Sequence, residues 1–382
     1  MSGLRYLDHA ATSPVRPEVL EAMVPYLTRV FGNPSSHHTA GEAAADALAD
    51  ARVRVAQVLG MRPGDVVFTA GGTEANNLAV KGIVLAARAQ GRRHLVTTPI
   101  EHESILESAD YLRRFHDVET TLVPVDDTGR IAPTDLRDAL RPDTALISFG
   151  HANNEVGTIQ EVPALAAVAA VAGVPVHVDA VQSAGWLPIA GLGADAISIA
   201  GHKVGAPKGI GVLAVRGRVP LEPLLHGGGQ ERGRRSGTEN VAGAVGMAMA
   251  LEIADAEREE ARSRVGAETA RFIAGVRESV PSARLTGAPA GDRLPGAASF
   301  TFAGVSGEAV LLELERRGVV SSSGSACAAG SDDPSHVLLA LGIAPEDALT
   351  SVRFTVGREG LPGDAPERLA ALVGEAVAAV AS

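Results

Sequence analysis

Residues 196–215 read AISIAGHKVGAPKGIGVLAV, which is two short apolar runs joined by a glycine-rich connection. The runs Ala196–Ala200 and Gly211–Val215 are predicted strands, because they are short, apolar and bounded by glycine. The connection between them carries Lys203 and Lys208. Enzymes built on parallel sheets place their catalytic groups at such strand ends. The stretch therefore predicts an α/β sheet with an amine at its functional edge.

The same alternation of strands and helices extends through the first two thirds of the chain. Short β-branched runs end in small or polar residues and are followed by Ala- and Leu-rich stretches, which is typical of a mostly parallel sheet flanked by helices. Further predicted strands cover residues 66–69, 94–97, 145–149 and 174–179. A charged helical run from Glu252 to Arg264 then leads into a segment with fewer such strands. We predict a large domain over residues 15–255 and a smaller α+β domain formed by residues 1–14 and 256–382.

Composition narrows the class of protein. The chain has 382 residues, of which 46% are hydrophobic and 21% charged, as in an ordinary globular protein with room for more than one core. Its net charge of −11 argues against strong direct binding to nucleic acid, although Arg232, Arg234 and Arg235 form a local basic patch. No apolar stretch has the length of a membrane span, and the N terminus lacks a signal-peptide pattern. With one cysteine and no export signal, we expect a cytoplasmic protein without membrane contact.

The one cysteine, Cys327, lies in the small-residue run SSSGSACAAG of residues 321–330. A lone thiol forms neither an internal disulfide nor a cysteine-rich metal site. An inert core cysteine is expected inside an apolar periodic stretch, whereas this one lies between the β-like run 318–320 and the turn 332–334. These surroundings favour a nucleophile over a core residue.

Lysine is nearly as scarce as cysteine, since the chain has Lys81, Lys203 and Lys208 and no others. Lys81 follows the sequence NNLAV and is predicted to be a surface charge on a helix. The other two lie in the glycine-rich connection at the strand end. Both stay open as candidates for chemistry that needs an amine.

Three other strand ends carry polar groups. Gly72 and Thr73, in AGGTEA, join a strand to a helix, where free N–H groups and a threonine N-cap suit a phosphate, although a plain turn has the same pattern. Asp179 ends a strand and is placed either to pair with a cationic ring nitrogen or to cap the next helix. His102 follows another strand, where its ring is suited to stacking on a cofactor or to ordinary hydrogen bonding. Since no histidine has metal-site spacing, we predict no metal.

Together these groups are the parts of a pyridoxal-phosphate site. Further motifs are FGNPSS at 31–36, NNEVG at 153–157, HVDAVQS at 177–183, HGGGQE at 226–231, RSGT at 235–238 and SSGSAC at 322–327. With them the sequence resembles the NifS/IscS-type cysteine desulfurases of the class V aminotransferase family, from Tyr6 to about Gly357. The resemblance implies the aspartate aminotransferase-like fold of type I pyridoxal-phosphate enzymes. One departure is Ala200, which stands where many relatives have a serine contacting the phosphate.

The resemblance also implies roles at the cofactor. Lys203 would bind the cofactor aldehyde and act as the base, while His102 would stack on the ring. Asp179 would keep the ring nitrogen protonated. The remaining cofactor contacts would come from Gly72, Thr73, Asn154, Gln182, His202 and, across a homodimer, Thr238 of the partner subunit. Arg353, with Asn33 beside it and Asn154 nearby, would bind the substrate carboxylate, since a guanidinium binds a carboxylate with two hydrogen bonds.

The implied reaction converts L-cysteine to L-alanine and leaves the sulfur on Cys327 as a persulfide. A mobile loop over about residues 321–335 would then carry it to an acceptor protein. A selenocysteine lyase, another class V aminotransferase or lyase, and a non-catalytic scaffold are the alternatives. The resemblance leaves three destinations for the sulfur open: iron–sulfur cluster scaffolds, tRNA thiolation and DNA phosphorothioation. The last would be served by a DndA-like desulfurase.

Overall fold

The structure is a computed structural model that describes residues 5–323, 333–361 and 363–381. Its strands are β1 (Arg5–Tyr6), β2 (Val66–Thr69), β3 (His94–Thr97), β4 (Glu119–Leu122), β5 (Thr144–Gly150), β6 (Val176–Asp179), β7 (Ala196–Ala200), β8 (Gly211–Val215), β9 (Ala283–Leu285), β10 (Ala297–Phe302), β11 (Val319–Val320) and β12 (Ser351–Thr355). Its helices are α1 (Pro17–Thr28), α2 (Thr39–Leu59), α3 (Gly72–Ala87), α4 (Glu103–His116), α5 (Pro133–Asp138), α6 (Val162–Ala172), α7 (Val241–Ala256), α8 (Arg258–Ser279), α9 (Gly307–Arg316), α10 (His336–Ala340), α11 (Pro345–Ala348) and α12 (Ala365–Ala381).

A seven-stranded sheet in the order β2-β8-β7-β6-β5-β3-β4 forms the centre of the molecule. Strand β8 runs antiparallel to both of its neighbours, and the pairs from β7 to β4 are parallel. The short apolar runs become fully buried strands because helices cover both faces of the sheet. This confirms the predicted α/β fold with a mostly parallel sheet.

Two layers of helices enclose the sheet. Helices α1, α2 and α7 lie on one face, where their apolar side chains join those of Phe68, Phe149 and Ile199. Helices α3 and α4 cover the other face over Leu95, Leu146 and other sheet residues. The carboxyl ends of β5, β6 and β7 therefore meet at one edge that the helices leave accessible.

A separate apolar cluster joins the beginning and the end of the chain. A three-stranded antiparallel sheet, β12-β10-β9, packs with α8, α9 and α12 around Phe272, Phe300 and Phe354. Leu7 belongs to the same cluster, because β1 pairs with β11. A smaller α+β domain that includes the N-terminal residues would have such contacts. The domain boundaries at residues 15 and 255 stay a prediction.

Local details differ from the sequence-based expectations. The charged run from Glu252 to Arg264 is not one helix, since α7 ends at Ala256 and α8 begins at Arg258. Strand β6 begins at Val176 rather than Val174, because Val174 still hydrogen-bonds to the end of α6. In the described part of the chain, the helices lack the combination of length and apolar character that a membrane-spanning helix needs.

Candidate active site

A cavity of about 340 Å³ lies where β5, β6 and β7 end. It is lined by nine residues singled out from the sequence: Gly72, Thr73, His102, Asn154, Asp179, Gln182, His202, Lys203 and Arg353. They come from separate parts of the chain, and the parallel sheet brings them together because its carboxyl ends share one edge. A cavity of this size holds a small-molecule ligand or cofactor.

Lys203 lies in a single 3₁₀ turn, Gly201–Lys203, directly after β7. Its ammonium donates to the carbonyl of Ala11 at 2.8 Å and to that of Ala10. Gln182 donates to the same Ala10 carbonyl at 3.0 Å, so the N-terminal segment closes this side of the cavity. Lys208 is exposed and does not line the cavity. Of the two lysines that the sequence left open, Lys203 is the one at the site.

Asp179 is held at the cavity floor as a hydrogen-bond acceptor. Its Oδ2 accepts from Asn76 Nδ2 at 2.6 Å and its Oδ1 from the Val181 N–H at 2.9 Å. The second bond forms a tight turn after β6, so Asp179 does not cap a helix. Both oxygens of the carboxylate are therefore held in place by hydrogen bonds.

The same network fixes His102, which is the N-cap of α4. Ser104 N–H donates to His102 Nδ1 at 3.0 Å, and Ser104 Oγ lies 2.8 Å from that nitrogen. Asn76 Nδ2 also donates to Ser104 Oγ at 2.9 Å. Because Nδ1 accepts, the proton of the neutral ring belongs on Nε2. Asn76 thus links the aspartate to the histidine, a connection that the sequence analysis missed.

The N-terminus of α3 lies at the cavity, where Gly72 and Thr73 are part of the lining. Gly71 is the N-cap, so the prediction of Thr73 as N-cap is wrong, and Thr73 lies in the first turn instead. A Cβ on Gly72 would lie 2.9 Å from Val181 Cγ2 and 3.2 Å from the Ala200 Cβ. Glycine is therefore required for this helix end to approach the strand ends.

His202, which directly precedes Lys203, also lines the cavity. Its Nδ1 lies 3.1 Å from Thr12 Oγ1. Burial, together with the charges of Lys203 and Lys208, lowers the pKa of His202 to about 4. The ring is neutral at pH 7 and serves as a hydrogen-bonding group rather than as a second cation.

Arg353, on β12, reaches the cavity from the smaller apolar cluster and is only 3% exposed. Its guanidinium donates to Asp8 Oδ1 at 2.8 Å and to the Asn154 carbonyl at 3.1 Å. Its Nε is buried and has no hydrogen-bond partner among the described residues. Asp8, which the sequence analysis did not single out, therefore orients this arginine and offsets its charge.

For three predicted site residues the structure shows no place in the cavity lining. Asn33 is exposed, and its Oδ1 accepts from the Ser35 N–H at 2.9 Å. Thr238 is also exposed and does not line this cavity within its own chain. Cys327 lies outside the described residues. The roles assigned to these three stay predictions.

The ends of the segment that carries Cys327 are described, and both contact the cavity wall. Ser322 and Arg353 exchange backbone hydrogen bonds of 2.7 and 3.1 Å. On the other side, Ser335 Oγ donates to Glu155 Oε2 at 2.5 Å, and His336 Nε2 lies 3.0 Å from the Glu101 carbonyl.

Residues 5–323, 333–361 and 363–381 contain no group of three His, Cys, Asp or Glu side chains placed to hold a metal ion.

Comparison with known proteins agrees with this arrangement. Residues 5–359 match the family profile "Aminotransferase class-V". The "IscS-like cysteine desulfurase" of Mycobacterium tuberculosis is 45% identical over 97% of this chain and 96% of its own. Among solved structures, a "NIFS-LIKE PROTEIN" superposes with a TM-score of 0.91 at 34% identity, covering 98% of this chain and 99% of its own. DndA from Streptomyces lividans superposes with a TM-score of 0.78 at 37% identity, covering 92% and 99%. The chain therefore belongs to the class V aminotransferase family, among its cysteine desulfurases.

Proposed function

We propose that this protein is a pyridoxal-phosphate-dependent cysteine desulfurase that converts L-cysteine to L-alanine and takes the sulfur onto Cys327. The observation that carries the proposal is the single cavity that combines Lys203, Asp179 and His102 with the helix end at Gly72 and the guanidinium of Arg353. Enzymes of this family use pyridoxal phosphate. When bound, that cofactor withdraws electrons from the substrate Cα.

The chemistry of the cavity fits this cofactor. The N-terminus of α3, with Thr73 and His202, offers donors for a phosphate, and the Gly72 position leaves no room for a side chain. Asp179 provides a carboxylate for a protonated ring nitrogen, and His102 provides a flat ring. Asn76 Oδ1, buried beside Asp179, has no partner among the described residues and is one further acceptor in the same region.

Three residues of this chain act on the substrate. Lys203 lies beside the ring site and supplies the amine that removes the Cα proton. Arg353 lines the cavity and binds the substrate carboxylate, and Asp8 fixes the direction of the guanidinium. Asn154 is held through its carbonyl by the same arginine, so its side chain stays at the substrate end of the cavity.

The sulfur step belongs to Cys327. Its thiolate attacks the substrate sulfur, the Cβ–S bond breaks, and the products are alanine and a Cys327 persulfide, so no external oxidant or reductant is needed. Described residues on both sides of Cys327 contact the cavity lining, since Ser322 pairs with Arg353 and His336 Nε2 lies 3.0 Å from the Glu101 carbonyl. These anchors support delivery of the thiol to the substrate.

The acceptor is proposed to be another protein. The IscS-like relative is more similar in sequence than the DndA chain, at 45% against 37% identity. This difference supports an IscS-type role in iron–sulfur cluster assembly over DNA phosphorothioation. Thr238 is exposed on its own chain, which fits a homodimer in which it reaches the partner's phosphate site.

The test is intact mass of the purified protein after brief exposure to L-cysteine, with alanine measured in the same sample. A gain of one or more sulfur atoms, removed by reductant and matched by alanine, is the expected result. Because Cys327 is the one thiol in the chain, the Cys327→Ser variant is a matched control that gains no sulfur. Alanine production that survives in Cys327→Ser would favour a lyase without a persulfide. If the parent protein forms no alanine and gains no sulfur, the proposal is overturned.

A further inference from the structure

Glu101 is a carboxylic acid in the wall of the cavity, and the proposed reaction does not use it. It lies in the turn between β3 and α4, is 5% exposed, and immediately precedes His102. Its Oε1 lies 2.6 Å from Thr98 Oγ1. Its Oε2 lies 3.3 Å from the position that a Cβ on Gly150 would take, and the Gly150 N–H donates to the carboxyl group. These contacts hold the side chain against the end of β5.

No cation compensates this carboxyl group within the described part of the chain, where Glu101 forms no ion pair. Asp179 lines the same cavity, and Gly150 is paired with Asp179 across β5 and β6. Asp179 accepts two hydrogen bonds, from Asn76 and from the Val181 N–H. Two carboxyl groups in one buried site do not both ionise readily, and Glu101 is the more buried of the two, at 5% against 9% exposure, so the proton belongs on Glu101.

The surroundings of Glu101 agree with that assignment. Burial raises the pKa of Glu101 to about 8; hydrogen bonds from Thr98 and Gly150 oppose this rise, and the charge of Asp179 adds to it. Burial also lowers the pKa of the neighbouring His151 to about 4, so that ring brings no positive charge at pH 7. The other titratable or charged groups around the cavity and the turn are His102, Glu103, Glu155, Asp179, His202, Lys203, His336 and Arg353.

From this geometry we infer that Glu101 is a positioning residue that works as a neutral acid. It ties the turn carrying His102 to the end of β5, and it leaves Asp179 as the single carboxylate of the cavity floor. The inference rests on the proposed function, because Asp179 has a ring nitrogen to pair with only if the cofactor binds there. Ionisation of Glu101 adds a second negative charge beside Asp179, which sets an alkaline limit on the site.

The proton on Glu101 is directly measurable by infrared difference spectroscopy of the full-length protein as purified, titrated from pH 6 to pH 10. We expect the C=O stretch of a protonated carboxyl group at pH 6, with loss of the band as the pH rises through about 8. Glu101→Gln lacks this band, whereas Glu103→Gln, two residues away at the start of α4, keeps it. A parent protein without the band at pH 6 would overturn the inference.

Two further variants test the geometry and do not depend on Glu101→Gln folding. Asp179→Asn removes the neighbouring charge, so the midpoint of the carboxyl titration falls by about one pH unit. Thr98→Val removes a hydrogen bond that favours the ionised form, so the midpoint rises. An unchanged midpoint in both variants would contradict the inference. These measurements need no turnover, so a failure here is distinct from failure of the sulfur-transfer test.

The positioning role has its own readout in the pH profile of the bound cofactor's absorbance. In the parent protein, an alkaline change should share its midpoint with the infrared titration. In Glu101→Gln that change should be absent, because the amide stays neutral at all pH values used. An identical alkaline change in the two proteins would show that Glu101 serves structure alone.

Discussion

At the scale of single residues, Lys203 and Lys208 share one connection, yet of the two only Lys203 lines the cavity. We expect Lys203→Ala to lose about 10²- to 10⁴-fold in alanine production, because it removes the base for the Cα proton. Lys208→Ala should keep the activity of the parent, since this side chain is exposed. Mass after borohydride reduction should show covalently attached cofactor in Lys208→Ala and none in Lys203→Ala. The reverse pattern would assign the chemistry to Lys208.

His177 is a buried residue whose effect is on stability rather than on the reaction. It lies in β6 between Ser148 Oγ at 2.9 Å and Ser198 Oγ at 2.8 Å, and burial lowers its pKa from 6.5 to about 3. The unfolded chain binds a proton as the pH falls below 6.5, whereas the folded chain does not. The stability that His177 contributes is therefore present above pH 6.5 and is lost toward pH 3.

We expect this histidine to account for about 3 kcal/mol of the stability that the protein loses between pH 7 and pH 4. Urea unfolding at both pH values should show a smaller loss for His177→Gln than for the parent, even though the variant starts from a lower stability. His37→Gln is the control, because His37 is exposed. Equal losses in all three proteins would show that other groups cause the acid sensitivity.

At the scale of elements, a buried ion pair joins α2 to the segment before α7. Arg52 forms two hydrogen bonds with Glu231, at 2.7 and 2.9 Å, and Glu231 also accepts from the Phe68 N–H at 3.2 Å. Glu231 and Arg232 both have positive φ angles, 49° and 59°, which are unfavourable for residues other than glycine. The ion pair therefore holds a strained turn in the segment that leads to Thr238.

We expect Arg52→Ala to lower the free energy of unfolding by about 3–5 kcal/mol, because it leaves the Glu231 carboxylate buried without its ion-pair partner. Arg113→Ala, which breaks an exposed pair with Asp110, should cost less than about 1 kcal/mol. Chemical denaturation of the two variants compares these values. A cost for Arg52→Ala as small as that of the exposed pair would mean that the turn holds its shape without the arginine.

At the scale of the whole molecule, the sequence was sufficient for the sheet and for most of the cavity. Four strands, at 66–69, 94–97, 196–200 and 211–215, match their predicted bounds, because each is a short run rich in β-branched residues or leucine with glycine, proline or a charged residue close by. Lys203, Asp179 and His102 were found because each lies at or just after the end of a strand. Their convergence follows from the parallel topology.

The parts that were missed depend on contacts between distant segments. Asn76 lies within a helix, and Asp8 lies near the N terminus, so neither follows a strand of the large sheet. Their roles arise only when folding brings Asn76 to Asp179 and Asp8 to Arg353. The break between α7 and α8 was missed because Glu257 interrupts a charged run without a glycine or proline to mark it.

The proposed homodimer makes a prediction about which chain supplies Thr238. Exposed apolar side chains, among them Leu27 at 59% and Phe31 at 77% exposure, provide a surface for a second copy.

If Thr238 serves the partner's phosphate site, Lys203→Ala and Thr238→Asp damage sites that are completed by opposite chains. A mixed dimer of the two variants then contains one intact site, built from Lys203 of one chain and Thr238 of the other. Random mixing should restore about a quarter of the parent activity from two poorly active proteins, because half of the dimers are mixed and each has one working site. Activity after unfolding and refolding the two variants together measures this recovery, and no recovery would place Thr238 in the site of its own chain.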